Sequence, residues 1–177
     1  MGSNKISWTK QQAHVIDTRI GNLLVAAAAG SGKTAVLVER IIEMVLGVDS
    51  NGNKLPDQDR VNVDELLVVT FTNAAAAQMK EKISAALQKK IDEYMANGIY
   101  DEHLIKQMTL INHAEICTID SFCLHIVKEY FAKVQLDSAF DIADKTEMEI
   151  IKKDVMDKVM ESCYQDENLV PGFIKLV

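Results

Sequence analysis

Apolar positions along the chain alternate between short unbroken runs and stripes with helical spacing. Residues 23–27 (LLVAA) form an apolar run without alternation, which predicts a short strand covered on both faces. Residues 33–46 (KTAVLVERIIEMVL) then predict a helix, closed by Gly47 as its cap. Residues 47–62 hold Asn51-Gly52 and Pro56 and predict a surface loop. A second buried strand is expected over 66–71, followed by a long helix capped by Asn73 and running to about residue 94. Within it Met79, Ile83, Leu87 and Ile91 repeat every fourth residue and predict one buried stripe. A helix over 102–110, a third strand over 115–118 and a helix over 120–131 complete this part.

The pattern changes after residue 140. Asp144 and Glu147 are spaced for a capping box, and Met148, Ile151, Val155 and Val159 share one face of a further helix. A boundary is therefore expected there, with residues 1–139 in one domain and 140–177 in a helical segment. Three strand–helix alternations predict an α/β fold with a mainly parallel sheet flanked by helices.

Composition narrows the function classes only modestly. A net charge of −7 over 177 residues argues against a wholly basic nucleic-acid coat but leaves room for a local DNA-binding groove. No segment reaches the ~18 apolar residues of a membrane helix, and the first residues lack a signal-peptide core, so the expectation is a cytoplasmic protein without a membrane partner. Cys117, Cys123 and Cys163 have no paired spacing, and the four histidines form no metal-binding pattern. Reduced, mostly buried thiols are the expectation.

The chemistry concentrates in VAAAAGSGKT, residues 25–34. Gly30, Gly32, Lys33 and Thr34 match the core of the P-loop pattern GxxxxGK[ST], with Ala27 in place of its first glycine. Glycines let consecutive amides turn toward a phosphate, and the following helix start adds partial positive charge. Lys33 supplies a full charge for the β- and γ-phosphates, and Thr34 a hydroxyl for Mg²⁺. Ala27, Ala28, Ala29 and Ser31 complete the expected ATP-binding loop.

Three further stretches accompany this loop in order. They are WTKQQ at 8–12, VVTFTNAAAAQMKEKI at 68–83 and ICTIDSFCLHIV at 116–127. Together the four resemble the Q motif and motifs I, Ia and Ib of superfamily I helicases of the UvrD/Rep type, and within these the AddA helicase–nuclease family. TFTNAAAA points to the latter, because UvrD and Rep usually carry lysine where Ala74 stands. FDIADKTEMEII, residues 140–151, resembles the family segment leading toward an inserted helical domain.

The resemblance implies a RecA-like P-loop NTPase fold, an incomplete motor domain here, with ATP and Mg²⁺ as cofactors and single-stranded and duplex DNA as partners. It also implies an AddB-like partner in a heterodimer and a role in double-strand break repair. Lys33 and Thr34 would be catalytic and Gln12 would read the adenine edge. Thr70, Phe71, Thr72, Asn73, Thr118 and Ser121 would contact DNA, Phe71 by stacking on a base. Asp120 departs from the pattern, standing where many relatives carry histidine, and is expected to cap its helix instead.

No acidic Walker B run, arginine finger or second motor domain is recognisable, and no nuclease residues can be assigned. The chain therefore resembles the N-terminal piece of a longer protein, expected to bind ATP weakly without rapid turnover. The alternatives are a UvrD/Rep-like helicase without nuclease, a P-loop phosphotransferase, or a non-catalytic ATP-binding module.

Overall fold

A computed structural model describes residues 7–28, 30–56 and 60–165. The chain divides into two compact units, residues 1–126 and 127–177.

The first unit is organised around its longest helix. Helix α1 (Lys10–Asp17) and α2 (Lys33–Leu46) precede a 3-10 turn (Val63–Glu65) and strand β1 (Leu67–Thr70). Helices α3 (Asn73–Ala96) and α4 (Glu102–Leu110), strand β2 (Glu115–Thr118) and helix α5 (Ile119–Glu129) follow. The stripe expected on α3 is buried throughout, with Ile83 and Leu87 fully enclosed. It packs with Ile41, Ile42 and Val45 of α2, Leu104 of α4 and Ile111 into one core. Strands β1 and β2 pair in parallel, with Leu67 opposite Glu115 and Thr70 opposite Thr118. Val68 and Ile116 pack against the core, whereas Leu67 and Val69 on the alternate face of β1 stay exposed.

The sheet is smaller than the sequence implies: among the described residues it has two strands. Residues 23–27 form no strand, and Leu24 is 96% exposed. The physical reason is that a strand exists through its neighbours' backbone groups, and β1 and β2 pair with each other instead. The fold is thus helix-rich α/β with a small parallel sheet.

Two caps also differ from expectation. Thr72, extended at φ −135° and ψ 149°, accepts the Ala75 N–H at 3.1 Å, so Asn73 is the first helical residue and not the cap. Helix α5 begins one residue early because Thr118 Oγ1 accepts the Ser121 N–H at 3.3 Å, leaving Asp120 inside the first turn. Gly47 closes α2 in the left-handed conformation, as expected.

Gln107 was not anticipated. Fully buried on α4, it accepts the Val63 N–H at 2.9 Å and donates to Asn62 Oδ1 and the His103 carbonyl, both at 3.0 Å. Those bonds anchor the 3-10 turn that leads into β1.

The second unit contains α6 (Lys145–Gln165). Its capping box forms: Asp144 N–H donates to Glu147 Oε2 at 2.9 Å and Glu147 N–H to Asp144 Oδ1 at 2.8 Å. Met148, Ile151, Val155 and Val159 share a face as the spacing predicts, each about half exposed.

Candidate nucleotide-binding and DNA-binding sites

The phosphate loop leads directly into α2. Gly30 and Gly32 have φ of 77° and 83°, the left-handed region that side chains disfavour. Gly32 is the N-cap of α2, so the turn of the loop and the start of the helix are one feature. A Cβ at Gly32 would approach the Gln12 amide nitrogen to 3.7 Å. Lys33 is the first helical residue, and its ammonium donates to the carbonyls of Ala27 at 2.7 Å and Ala28 at 2.8 Å. Two of its three protons thus hold it across the loop, and the third is available. Thr34 sits one position further into the first turn, half-buried. Ala29 lies outside the described residues.

Gln12 reaches this loop from α1. Thr9 and Gln12 form a capping box in which Gln12 N–H donates to Thr9 Oγ1 at 3.3 Å and Thr9 N–H to Gln12 Oε1 at 3.0 Å. The other end of the amide donates to the Ser31 carbonyl at 3.4 Å. An amide has two donor and two acceptor positions, so one of each remains after these bonds. That remainder suits an adenine edge, which offers a donor and an acceptor side by side. Thr9, Gln12, Val15, Val25, Ser31 and Lys33 are among the residues lining a cavity of about 450 Å³ that is mostly apolar in character. Its size falls within the range of small-ligand sites.

Helix α1 is held in place by groups that the sequence reading missed. Ile16 is fully buried. Arg40 of α2 donates through Nη1 to the Val15 carbonyl and, at 3.5 Å, to that of Ile16. Arg19 donates to the Ile16 carbonyl and, at 3.2 Å, to that of Val48. Asp17 accepts both the backbone N–H and the hydroxyl of Ser50 at 2.7 Å. Behind them lies Glu43, 6% exposed, with Oε2 unpartnered. Burial pushes its carboxyl up to about 7, with Glu39, Asp17 and Asp49 adding to the effect and Arg19 opposing it. A charged residue on the inward face of an otherwise apolar helix was the available signal.

The residues expected to meet DNA gather at the carboxyl end of the sheet. Thr70 and Thr118 are register partners at the last position of the two parallel strands. Thr70 Oγ1 donates to the Thr72 carbonyl at 3.0 Å, Thr72 caps α3, and Thr118 and Ser121 share a hydroxyl–hydroxyl bond of 2.8 Å. Phe71 is 103% exposed, so its ring is free of the core. Asn73 opens α3 beside it. Two helix starts therefore sit together at this edge, where parallel α/β sheets bind ligands. Among the described residues no group of three or more His, Cys, Asp or Glu converges as a metal site. No helix among the described residues is long and apolar enough to cross a membrane.

A glycine turn that runs into a helix start, with Lys33 and Gln12 lining one cavity, is an arrangement suited to holding an anionic group. Residues 8–171 match the family of the UvrD/REP helicase N-terminal domain, and the chain belongs to that family. It is 46% identical over 170 residues to the A subunit of the ATP-dependent helicase/nuclease of Clostridioides difficile (strain 630), covering 96% of this chain and 12% of that protein. The protein of the same name from Lachnoclostridium phytofermentans is 48% identical over 162 residues, 92% of this chain and 11% of that protein. That of Clostridium beijerinckii is 45% identical over 177 residues, all of this chain and 13% of that protein. The chain thus spans about an eighth of the length of these curated relatives.

Proposed function

We propose that this chain supplies the nucleotide-gripping and part of the DNA-contacting surface of an ATP-dependent DNA helicase of the AddA type. The observation that carries the reading is the turn with Gly30 and Gly32 at positive φ that feeds Lys33 into α2, with Lys33 and Gln12 lining one cavity. Lys33 would trade its carbonyl partners for the β- and γ-phosphates, and the first amides of α2 would add their dipole. Ala27, Ala28, Ala29, Gly30 and Ser31 would supply the loop backbone, Thr34 would ligate Mg²⁺, and Gln12 would read adenine. Mg²⁺, when bound, neutralises charge on the transferred phosphoryl group.

Thr70, Phe71, Thr72, Asn73, Thr118 and Ser121 would contact single-stranded DNA, with Phe71 stacking on a base and the hydroxyls and helix starts holding phosphates. Closing and opening of the nucleotide cleft would advance the strand past this edge and unwind the duplex ahead. Residues 1–139 would be the start of a RecA-like motor domain and 140–177 a helical lead into an inserted domain. An AddB-like partner, a nuclease elsewhere in the polypeptide, a cytoplasmic setting and a role in break repair follow from the same reading.

ATP hydrolysis by the full-length protein, with and without single-stranded DNA, beside Lys33→Ala, tests it. The expected result is strong stimulation by DNA that is abolished in the variant. Hydrolysis indifferent to DNA would discard the helicase and favour a phosphotransferase.

A further inference from the structure

Helix α1 has eight residues, too few to hold its own shape or position in water. Its pose must come from its neighbours, and that pose decides where the Gln12 amide points. At its amino end the capping box with Thr9 fixes the side chain of Gln12 to the helix. At its carboxyl end the last carbonyls have no partner within the helix. His14 is served by Thr18, whose N–H and hydroxyl donate to its carbonyl at 3.1 and 2.7 Å. The Val15 carbonyl is served by Arg40, and that of Ile16 by Arg19 and Arg40.

Arg40 belongs to α2, the helix whose first residue is Lys33. Arg40 stands seven positions after Lys33, so their backbone positions lie about 10 Å apart along the helix axis. One element therefore carries Lys33 to the cavity and holds, through Arg40, the helix that brings Gln12 to the same cavity. Arg40 reaches both carbonyls through Nη1, and its positive charge complements the negative end of the α1 dipole. Burial and the nearby Arg19 hold the Arg40 group below its ordinary pKa, as expected for a cation withdrawn from water.

We propose that Arg40 is a positioning residue for base recognition, setting the nucleotide's base selectivity by fixing the helix that carries Gln12. This rests on the proposed reading of Gln12 as the adenine contact and extends it to a residue that does not itself touch the nucleotide. The phosphate grip, built on the Gly30–Thr34 loop and the start of α2, meets α1 through the long 3.4 Å Gln12–Ser31 bond and should depend on the clamp far less than base recognition does.

The experiment measures dissociation constants for ATP and GTP in the full-length protein, with Gln12→Ala, Arg40→Ala and Arg40→Lys beside the wild type. The expected result is that Arg40→Ala lowers the preference for ATP by about tenfold, toward the level of Gln12→Ala, while GTP affinity stays within about twofold. Arg40→Lys, which keeps the charge but not the reach of the guanidinium, should recover part of the preference. Equal weakening of both nucleotides marks general support of the fold and overturns the proposal, as does an unchanged preference in Arg40→Ala. Should Arg40→Ala fail to fold, Arg40→Lys decides: a selective loss for ATP supports the clamp, and an equal loss or none overturns it. A wild type with no ATP preference, or a Gln12→Ala variant that keeps it, instead removes the adenine reading and the clamp's role with it.

Discussion

Glu43 shows how much a single side chain can demand of its surroundings. The carboxyl lies on the buried face of α2, 6% exposed, with one oxygen unpartnered. Burial raises its folded-state pKa from 4.5 to about 7, chiefly by desolvation of the charged form. The folded protein therefore holds a proton that the unfolded chain has already released between those values. Stability is full below about pH 4.5, falls as pH rises, and has been lost by the time pH passes about 7. Glu43→Gln keeps the shape and removes the titration. At pH 8 it should stabilise the 177-residue chain by up to about 3 kcal/mol, and at pH 4.5 by close to nothing. Chemical denaturation at the two pH values checks this, and an equal difference at both would show that the carboxyl does not titrate in this range. At the same scale, the placement of Lys33 at the start of α2 was legible in the sequence, because the glycine turn before it and the apolar period after it are adjacent in the chain. Arg19, Arg40 and Glu43 were not, because their partners lie on other elements.

Elements followed the sequence closely wherever the determining forces are local. Helix α2 spans Lys33–Leu46, α4 Glu102–Leu110 and β2 Glu115–Thr118, the ranges expected from periodicity. The caps were harder to read, because Thr72 and Asn73 are both good capping residues and sit next to each other. Backbone geometry decides between them: Thr72 is extended and its hydroxyl accepts the Ala75 N–H. Thr72→Ala should therefore cost about 1 kcal/mol and Asn73→Ala much less. Denaturant midpoints of the two variants, measured side by side, distinguish them, and the opposite order would return the cap to Asn73. Thr72 is also a proposed DNA contact, so its hydroxyl would serve a helix start and a phosphate at one edge.

For the whole molecule, the two-stranded sheet and the exposed run at 23–27 bear directly on activity. Hydrolysis needs a carboxylate behind the metal, a positioned water and a cation on the transferred phosphate. Among the described residues that line the cavity, Lys33 is the charged side chain and no carboxylate stands beside it. We therefore predict that the 177-residue chain binds ATP without multiple turnover at a motor's rate. A multiple-turnover phosphate-release assay beside Lys33→Ala checks this. Sustained turnover that vanishes in the variant would show that the chain carries its own catalytic groups.

The glycine turn at 30–32, the helix that follows it and the buried stripe of α3 could all be read from the chain alone. Each depends on residues close in sequence, where backbone preference and hydrophobic period act directly. Tertiary structure alone decided that residues 23–27 stay outside a sheet, that Phe71 stands clear of the core, and that Thr70 meets Thr118. It also decided that Arg40 clamps the helix bearing Gln12. Those outcomes turn on which distant backbone and side-chain groups arrive to pair or to cover, and the pattern of one segment does not specify its distant partners.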